Sequence, residues 1–600
     1  MSNLPSVFVL YRQPVKLCKL SLHFIRIPNV AWFWYTSNSK TKLFGVECSG
    51  QFGYRNNGFL SADHFRLMQS GNIARIFTHV YAVIHLTFDN RFINKLPGIL
   101  EESKQPRQTH GVCWTKVRPT PVSKPTLQAY SAEVAQLLNL AEEDIHAAEF
   151  LAAFSGSSLM PGMESYATCY GGHQFGSWAG QLGDGRAIGL GEVINKSDER
   201  WELQLKGAGL TPYSRRGDGR AVLRSSLREF LCSEAMYHLG VPTTRALSLI
   251  TTGEQVVRDM LYDGNPRPEP GAVICRVAPS FTRFGHFEIL ASRGEHDLLQ
   301  KLIDFTIDRD FSEISAVSPE RFAIWFRLVC ERTASLVVEW LRVGFVHGVM
   351  NTDNMSIIGL TLDYGPYGWV DNFDPGWTPN TTDAELHRYC LSKQPKVARW
   401  NLERLADALT PVAPSRSALD EGLAHFDTTL RCSMTAMLAA KLGLLEWQDD
   451  DADLVETVFE LMTHAEVDMT EFFRKLADIK QQAPKLEILQ SAFYDPKLYD
   501  NHSALFRQWI KRYVARLSLQ QDSDESRRSR MNLVNPRFIL RNYLAQQAID
   551  AAMHDDVSLI DKLMQAARNP YSDNHPVELI AKRPDWAIDK PGCSMLSCSS

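Results

Sequence analysis

The sequence predicts a mixed α+β protein with two lobes: a β-rich lobe containing one key helix, followed by a larger and mainly helical lobe. Three observations lead to this prediction. Alternating and apolar runs typical of strands are concentrated between residues 86 and 300. From residue 301 onward, long patterns with helical periodicity dominate. A chain of 600 residues is also too long for one compact core, so at least two lobes or domains are expected.

The composition excludes several classes of function. With 44% hydrophobic and 22% charged residues, the chain matches an ordinary soluble globular protein. No run approaches the roughly 18 apolar residues of a membrane span. The net charge of −5 gives no reason to expect nucleic-acid binding. The 11 cysteines include no Cys-x-x-Cys pair, so we expect no zinc site and a reducing compartment.

The first 80 residues differ in charge from the rest. They contain nine Lys or Arg and two Asp or Glu, a net of +7, so residues 81–600 carry −12 of the total of −5. We predict that residues 1–85 form a poorly ordered N-terminal extension, before a β-rich lobe at 86–300 and a helical lobe at 301–600. A targeting or accessory segment is the alternative for the extension, although it has no sustained amphipathic stripe.

The β-rich lobe contains a glycine-rich segment between helices and strands. Helices are predicted from the N-cap Ser131 to Leu138 and over Glu142–Ala153. Tyr170–Arg186 contains six glycines, which permit close backbone approach to a ligand. Strands are predicted at Ala187–Val193 and Trp201–Lys206. A glycine-rich turn followed by a strand that ends in lysine is the layout that covers and pairs nucleotide phosphates in kinases. A plain set of turns is the alternative.

A predicted helix at Ala221–Leu239 supplies a partner for that lysine. Leu223, Leu227 and Phe230 form its core stripe, and Glu229 lies on its flank. A carboxylate in a partly apolar row requires a cation, and a lysine on a strand paired with a glutamate on a helix is the kinase arrangement. The alternative is a solvated Glu229 on the helix edge.

Further glycines and arginines indicate phosphate binding. The tetrapeptide Gly-Asp-Gly-Arg occurs at Gly183–Arg186 and again at Gly217–Arg220, where backbone N–H groups and a cation suit phosphate. Arg276 lies in a predicted strand, and Arg283 lies shortly after that strand. Both could bind phosphates through their planar guanidinium groups. Coincidence and ordinary surface arginines are the alternatives. The strands of this region are predicted at Arg245–Thr252 and Gly271–Ala278.

The segment after a predicted helix at Arg321–Arg342 carries the most informative motif. His347-Gly348-Val349 is followed by Asn354 and Asp363, and Met355–Leu362 between them predicts a short β-hairpin. An amide and a carboxylate at the two ends of such a hairpin suit a hard divalent cation that also binds substrate phosphates. Kinases of small molecules have a catalytic aspartate where Val349 stands, and valine cannot act as a base. Another carboxylate, Asp353, directly precedes Asn354.

The remaining chain is predicted to be mainly helical, with two polar breaks at Asp449–Asp453 and Gln520–Ser529. The predicted helices are Val397–Leu409, Ser417–Leu442, Ala452–Leu476, Ala504–Leu517 and Arg537–Ala552.

These motifs together resemble the selenoprotein O (SelO) family, whose bacterial members are called YdiU. The resemblance covers the chain from about Leu86 to the C-terminus. The matching runs are Tyr170–Arg186, Leu205–Thr244, Arg276–Glu288 and His347–Pro366. The family implies a protein kinase-like fold that binds ATP in a flipped orientation and transfers AMP, rather than phosphate, to protein hydroxyl groups.

The resemblance also implies roles for individual residues. Lys206 and Glu229 match the ion pair of the family, Asp353 matches its base, and Asn354 and Asp363 match its metal ligands. The positions that match its nucleotide contacts are Gly183, Gly185, Arg186, Lys206, Asp218, Gly219, Arg276, Arg283 and Asp363. The implied cofactor is Mg²⁺ or Mn²⁺, with ATP as substrate and UTP as an alternative. Cys598 stands where many animal members carry selenocysteine.

The expected partners are therefore protein substrates with a target hydroxyl group, with no nucleic acid and no membrane. The expected location is the cytoplasm, as for a bacterial-type member, and the mitochondrion is the alternative. Two other hypotheses remain beside protein adenylyltransfer: a conventional kinase, which Val349 argues against, and a non-catalytic nucleotide-binding pseudokinase.

Overall fold

The structure of the chain is a computed structural model. It describes residues 84–597 and, before them, the backbone of an antiparallel three-stranded sheet formed by Ile25–Ile27, Val30–Ser37 and Lys40–Glu47. The chain divides into two compact units, residues 1–82 and residues 83–600. Most of residues 1–85, which are predicted to be poorly ordered, lie outside the described residues. Cys598 also lies outside them.

The larger unit contains both helices and a ten-stranded sheet, so its mixed α+β class agrees with the prediction. The sheet pairs its strands antiparallel, except for Gly98–Ile99 beside Trp114–Lys116. Two short strands, Thr87–Phe88 and Ala221–Val222, pair at its sides. The main order across the sheet is Gly98–Ile99, Trp114–Lys116, Tyr166–Thr168, Ala187–Ile194, Arg200–Lys206, Arg267–Ala278, Arg245–Arg258 and Thr126–Tyr130.

The central strands follow the predicted apolar runs. Arg200–Lys206 contains Leu203 and Leu205, both buried, and ends at Lys206 as predicted. The hairpin of Arg245–Arg258 and Arg267–Ala278 is longer than predicted. Its outer part is polar and partly exposed, so no apolar alternation indicated it, and cross-strand pairing maintains the strands there.

The helix predicted at Ala221–Leu239 extends from Leu223 to His238. One side packs against the hairpin strands, and the other is covered by the helices Asn542–Ala552 and Ser558–Ala567. Because both sides are covered, Glu229 is buried at 2% exposure and does not lie on a solvated flank. The alternative of a solvated glutamate is therefore wrong.

The helix Arg321–Val343 ends where predicted, with Gly344 as a left-handed C-cap at φ 71°. It packs along the helix Arg416–Leu442. Two preceding helices, Phe284–Ser292 and His296–Asp310, were not predicted. In the part of the chain that the structure describes, no helix is long and apolar enough to cross a membrane.

Several predicted helix boundaries are wrong. The helix predicted at Ala504–Leu517 begins at Pro496, and the helix predicted at Arg537–Ala552 begins at Asn542. The predicted break at Asp449–Asp453 contains the start of the helix Asp451–His464. The segment predicted as one helix at Glu142–Ala153 forms two, because Ala147 is extended. The segment Ala452–Leu476 also divides in two, because Asp468 is extended and caps the second helix through the N–H of Glu471. The predicted break at Gln520–Ser529 contains a helix start, capped by Ser523.

The other helices of the larger unit complete the fold. They are Arg91–Lys95, Ala132–Leu137, Glu142–Ile145, Ala148–Phe154, Gln394–Leu409, Asp451–His464, Met469–Leu476, Pro496–Leu517, Asp524–Val534 and Val577–Ile580. The short strands outside the main sheet are His173–Gln174, Ser177–Trp178, Phe345–Val346 and Gly368–Trp369.

Candidate active site

A buried cluster of three cations and two carboxylates lies between the sheet, the helix Leu223–His238 and the loop after Leu362. Lys206 Nζ lies 2.6 Å from Glu229 Oε2 and 2.8 Å from Asp363 Oδ1. Arg276 Nη1 lies 3.2 Å from Glu229 Oε1 and 2.7 Å from Asp363 Oδ1. Arg283 Nη1 lies 2.8 Å from Asp363 Oδ2. The predicted pairing of Lys206 with Glu229 is thus present, and Asp363 joins three predicted cations.

The fold determines where each of these side chains lies. Lys206 ends its strand, and Arg276 lies on the neighbouring strand opposite Gln204, whose side-chain oxygen accepts a hydrogen bond from its guanidinium group. Arg283 is the N-cap residue of the helix Phe284–Ser292, and its backbone pairs with Ser356, just after the loop that contains Asp353 and Asn354. The unpredicted helix therefore places a predicted arginine in the cluster.

The charges in this cluster do not balance. Burial alone would raise the pKa of Asp363, but Lys206, Arg276 and Arg283 outweigh that effect and hold the pKa well below its usual range. Within the ion-pair network, three cations against the two carboxylates Glu229 and Asp363 leave one positive charge in excess. The buried carboxyl groups of Asp184 and Asp353 lie near Arg283, and burial raises the pKa of both. A buried excess of positive charge favours binding of an anion such as phosphate.

The loop that contains Asn354 is adjacent to this cluster. Thr352–Asn354 forms one turn of 3₁₀-helix, and a single bridge joins Met355 to Thr361. The predicted hairpin at Met355–Leu362 is thus reduced to one pair, but that pair still brings Asn354 and Asp363 to the same end of the turn. The amide nitrogen of Asn354 donates to the carbonyl of Val349 at 2.9 Å, which leaves the amide oxygen available to a ligand.

Asp353 is the predicted base, and it is only 8% exposed. Its Oδ2 accepts a hydrogen bond from Gln174 Nε2 at 3.2 Å, whereas its Oδ1 is buried without a partner in the described structure. Burial raises the pKa of Asp353 to about 7, although Arg283 and the hydrogen bond from Gln174 oppose that shift. Arg283 Nη1 also donates to the carbonyl of Asp353 at 2.8 Å, so Arg283 contacts both the predicted base and the carboxylate of Asp363.

The glycine-rich segment lies directly on the loop that contains Asp353. The N–H of His173 donates to Thr352 Oγ1 at 2.7 Å, and the N–H of Phe175 donates to Asn351 Oδ1 at 3.2 Å. A β-carbon at Gly172 would lie 2.7 Å from Asp353 Oδ1, so only glycine permits this approach. Sequence reasoning selected the segment but missed Gln174 and Gly172 within it.

Both Gly-Asp-Gly-Arg loops pack against the segment after Lys206. The N–H of Gly207 donates to the carbonyl of Arg186 at 2.8 Å, and that of Gly209 donates to Gly219 at 3.0 Å. Gly183 and Gly219 have φ of 80° and 70°, which favours glycine at both positions. A β-carbon at Gly185 would lie 3.0 Å from the carbonyl of Tyr213.

Asp218 lies apart from the central cluster. Its carboxylate pairs with Arg258 at 2.7 Å, and among the described residues no ion pair joins it to Lys206, Arg276 or Arg283. Burial would raise the pKa of Asp218, but Arg258 and the N–H of Arg220 lower it overall. Of the predicted nucleotide-binding residues, Asp218 is therefore one that the structure leaves outside the ion-pair network.

The donor set for a metal ion is small. Within residues 84–597 no group of three or more His, Cys, Asp and Glu side chains could hold a metal ion. Asn354 and Asp363 provide an amide oxygen and a carboxylate, which suit a hard divalent cation. Three cations already pair with Asp363. Asn354 and Asp363 therefore fit a divalent cation only when an anion binds those three cations in place of Asp363. A nucleotide triphosphate would be such an anion.

The chain is similar to known proteins over most of its length. A family model described as protein adenylyltransferase SelO matches residues 102–568. A protein nucleotidyltransferase YdiU of Methylobacillus flagellatus is 61% identical over 517 residues, which cover 86% of this chain and 100% of that protein. Proteins of the same name from Tolumonas auensis and Aromatoleum aromaticum are 60% and 58% identical, over 86% of this chain and 99% and 100% of their own lengths.

Proposed function

Because the chain belongs to the SelO family of protein adenylyltransferases and is thereby a protein nucleotidyltransferase, we propose that it transfers AMP from ATP to serine, threonine or tyrosine hydroxyl groups of proteins and releases diphosphate. Transfer of UMP from UTP is the alternative, because the name of the relatives, protein nucleotidyltransferase, specifies no nucleotide. We further propose the kinase-like two-lobed arrangement and the cytoplasm as the place of reaction.

One observation supports this function best: a buried carboxylate with an unpartnered oxygen borders a cluster with excess positive charge. Asp353 Oδ1 has no hydrogen-bond partner in the described structure, and Arg283 joins the backbone of Asp353 to the carboxylate of Asp363. A base thus lies beside the position where phosphates would bind. At the position of the kinase base, Val349 provides no titratable group.

We propose that the triphosphate of ATP binds to Lys206, Arg276 and Arg283. Glu229, which accepts from both Lys206 and Arg276, keeps these cations in place when phosphate replaces the carboxylate of Asp363. With the nucleotide in the flipped orientation of the family, the α-phosphate faces the accepting hydroxyl. The three cations then stabilise the charge that develops on the leaving diphosphate, an electrostatic contribution that accounts for much of phosphoryl-type catalysis.

The proposed transfer is a nucleophilic substitution at the α-phosphorus of ATP. Asp353 accepts the proton of the acceptor hydroxyl, and the hydroxyl oxygen forms a bond to the α-phosphorus. The bond between the α-phosphorus and the oxygen that bridges to the β-phosphate breaks, and diphosphate leaves with that electron pair. Asn354 and Asp363 would hold Mg²⁺ or Mn²⁺ together with the phosphates, where the ion would neutralise phosphate charge. Gln174, through its bond to Asp353 Oδ2, orients the base.

Labelled ATP distinguishes this function from a conventional kinase. The purified chain, with Mg²⁺ and an acceptor protein extract, should incorporate label from the α-phosphate and none from the γ-phosphate. Incorporation from the γ-phosphate alone would contradict adenylyltransfer. Intact-mass measurement of the chain after the same incubation tests self-modification, for which one AMP is the expected addition.

A pseudokinase that only binds nucleotide predicts a different result. It would bind ATP with the metal ion, but no protein would gain α-label under any condition. The Asp353→Asn variant is the matched control, because it should bind ATP as the wild type does and yet transfer AMP about 10²–10⁴-fold more slowly. Identical labelling by the wild type and this variant would exclude Asp353 as the base.

A further inference from the structure

A surface of aromatic and basic side chains borders the loop that carries Asp353. It consists of His173, Trp178, Arg388 and Trp400, and is called the aromatic patch below. The ring of His173 lies 5.1 Å from that of Trp178 and 5.5 Å from that of Trp400. Trp178 is 40% exposed, a large exposed fraction for a tryptophan side chain. The reaction proposed above does not use these side chains.

Arg388 has no carboxylate partner in the described part of the chain. Its guanidinium group lies 4.7 Å from the ring of Trp400 and 5.7 Å from that of Tyr389, and its Nε is buried without a hydrogen-bond partner. The nearby carboxylate of Asp383 is occupied, because it accepts from the backbone N–H groups of Arg388 at 2.9 Å and Tyr389 at 2.7 Å. A partly buried cation that lacks an anion favours binding of one.

A second arginine on the same ring provides the contrast. Arg404 lies 5.1 Å from the ring of Trp400, but its guanidinium group pairs with Asp407 at 3.1 Å. Both arginines therefore stack on Trp400, and only Arg404 has its charge balanced by a carboxylate of the described chain. The unpaired charge of Arg388 is thus not a general consequence of stacking on this tryptophan.

The aromatic patch is held at a fixed position relative to Asp353. Tyr389, next to Arg388, donates its hydroxyl to Asn351 Oδ1 at 2.6 Å and accepts from the N–H of Phe175 at 3.0 Å. Gln174, between His173 and Phe175, donates to Asp353. One short segment therefore contacts both the base and the patch, so a molecule bound at the patch has its neighbouring groups close to Asp353.

We infer that the aromatic patch is the docking surface for the acceptor protein, and that Arg388 selects acceptors with a carboxylate side chain near the accepting hydroxyl. The inference rests on the proposed function and names its substrate class. The planar guanidinium group binds a carboxylate through two parallel hydrogen bonds, and stacking on Trp400 holds it ready for that contact. The exposed face of Trp178 provides apolar contact for the same acceptor segment.

The inference is tested with an array of peptides that share a central serine, threonine or tyrosine. Flanking positions carry glutamate, glutamine or lysine, and incorporation of α-label from ATP is measured with the full-length chain. We expect kcat/KM to be about tenfold higher for peptides with a flanking glutamate than with glutamine, as for one well-formed charge-assisted pair. Arg388→Gln should abolish this preference, and Arg388→Glu should favour lysine instead.

Arg404→Gln is the matched control, because it removes a cation from the same tryptophan ring but leaves Arg388 unchanged. It should retain the preference for glutamate. Thermal unfolding of each variant checks that the fold is intact, and calorimetry checks ATP binding. We expect Arg388→Gln to bind ATP as the wild type does, because the phosphates bind to Lys206, Arg276 and Arg283 in the proposal above.

Other outcomes would contradict either the docking inference or the proposed function, and the experiment distinguishes the two. Transfer to all peptides alike, in the wild type and in Arg388→Gln, would overturn the inference and leave the proposed function intact. Weaker ATP binding in Arg388→Gln would assign the cation to the nucleotide and would also overturn it. Absence of α-label from every peptide and from the chain itself would overturn the proposed function, and the inference with it.

Discussion

Replacement of Glu229 by glutamine should separate binding of the nucleotide from transfer. Glutamine has the same size, so the variant creates no cavity, but one of the two carboxylate oxygens becomes an NH₂ group that faces a cation. Glu229 is 2% exposed and accepts from Lys206 at 2.6 Å and from Arg276 at 3.2 Å. Removing one partner from a buried ion pair costs about 3–5 kcal/mol. Because Lys206 and Arg276 keep Asp363 at 2.8 and 2.7 Å, we expect the lower end of that range.

Glu229→Gln should lower kcat without weakening ATP binding. Glu229→Gln raises the excess charge of the cluster from one to two, so ATP should bind at least as tightly as in the wild type. Lys206 loses one of its two anchors, however, and transition-state stabilisation depends on its position. We expect kcat for transfer to fall about 100-fold, which corresponds to about 2.7 kcal/mol in the barrier. Calorimetry with ATP and steady-state incorporation of α-label measure the two quantities.

Glu234 provides a control on the same helix. It is fully buried and pairs with Arg245 through both oxygens at 2.8 and 2.7 Å, away from the cation cluster. Glu234→Gln should lower stability to a similar degree and leave kcat of the folded protein unchanged. If both variants lowered kcat equally, the loss would be a general effect of destabilisation. If Glu229→Gln retained wild-type kcat, the pair would be structural only, and the proposed role of Lys206 would be wrong.

Three further substitutions test the neighbouring groups. Asp353→Asn should lower transfer by about 10²–10⁴-fold, as for loss of a general base, while calorimetry gives unchanged ATP affinity; unchanged transfer would exclude the role. Gly172→Ala places a β-carbon 2.7 Å from Asp353 Oδ1, and the displaced base should reduce kcat at least about tenfold; wild-type kcat would show that the contact does not position Asp353. Asp363→Asn leaves three cations without their shared carboxylate, so the free energy of unfolding should fall by about 3–5 kcal/mol. Inorganic triphosphate should restore thermal stability in this variant more than in the wild type, and an equal response would refute competition between phosphate and Asp363.

Local sequence patterns predicted elements with strong periodicity or clear caps. The helix Arg321–Val343 has a continuous apolar stripe and a glycine C-cap, and both ends agree with the prediction to within a residue. The helices Phe284–Ser292 and His296–Asp310 were missed although their apolar residues are well buried. The first of them also buries His286 and Glu288, and such polar residues on an interior face conceal the periodicity on which the prediction depends.

The candidate site was predicted residue by residue, but of its ion pairs only that between Lys206 and Glu229 was predicted. Motif spacing selected Lys206, Glu229, Arg276, Arg283 and Asp363 separately, each with an ordinary structural alternative. Their mutual pairing depends on strand register, which places Arg276 opposite Gln204 and two rows from Lys206, and on a helix that covers them. No local pattern contains that register, because the paired residues are up to 157 positions apart.

Taken alone, the sequence determined the family, the mixed α+β class and the identity of the residues with the required chemistry, because these depend on residue type and short-range spacing. The tertiary structure decided that Glu229 is buried. Within residues 84–597 it also leaves Asp353 with one unpartnered oxygen and Arg388 with no carboxylate within ion-pair distance. Burial and pairing depend on which distant segments cover a side chain. The charge state, orientation and free energy of each group in the site depend on this burial and pairing. Only the folded chain therefore specifies them.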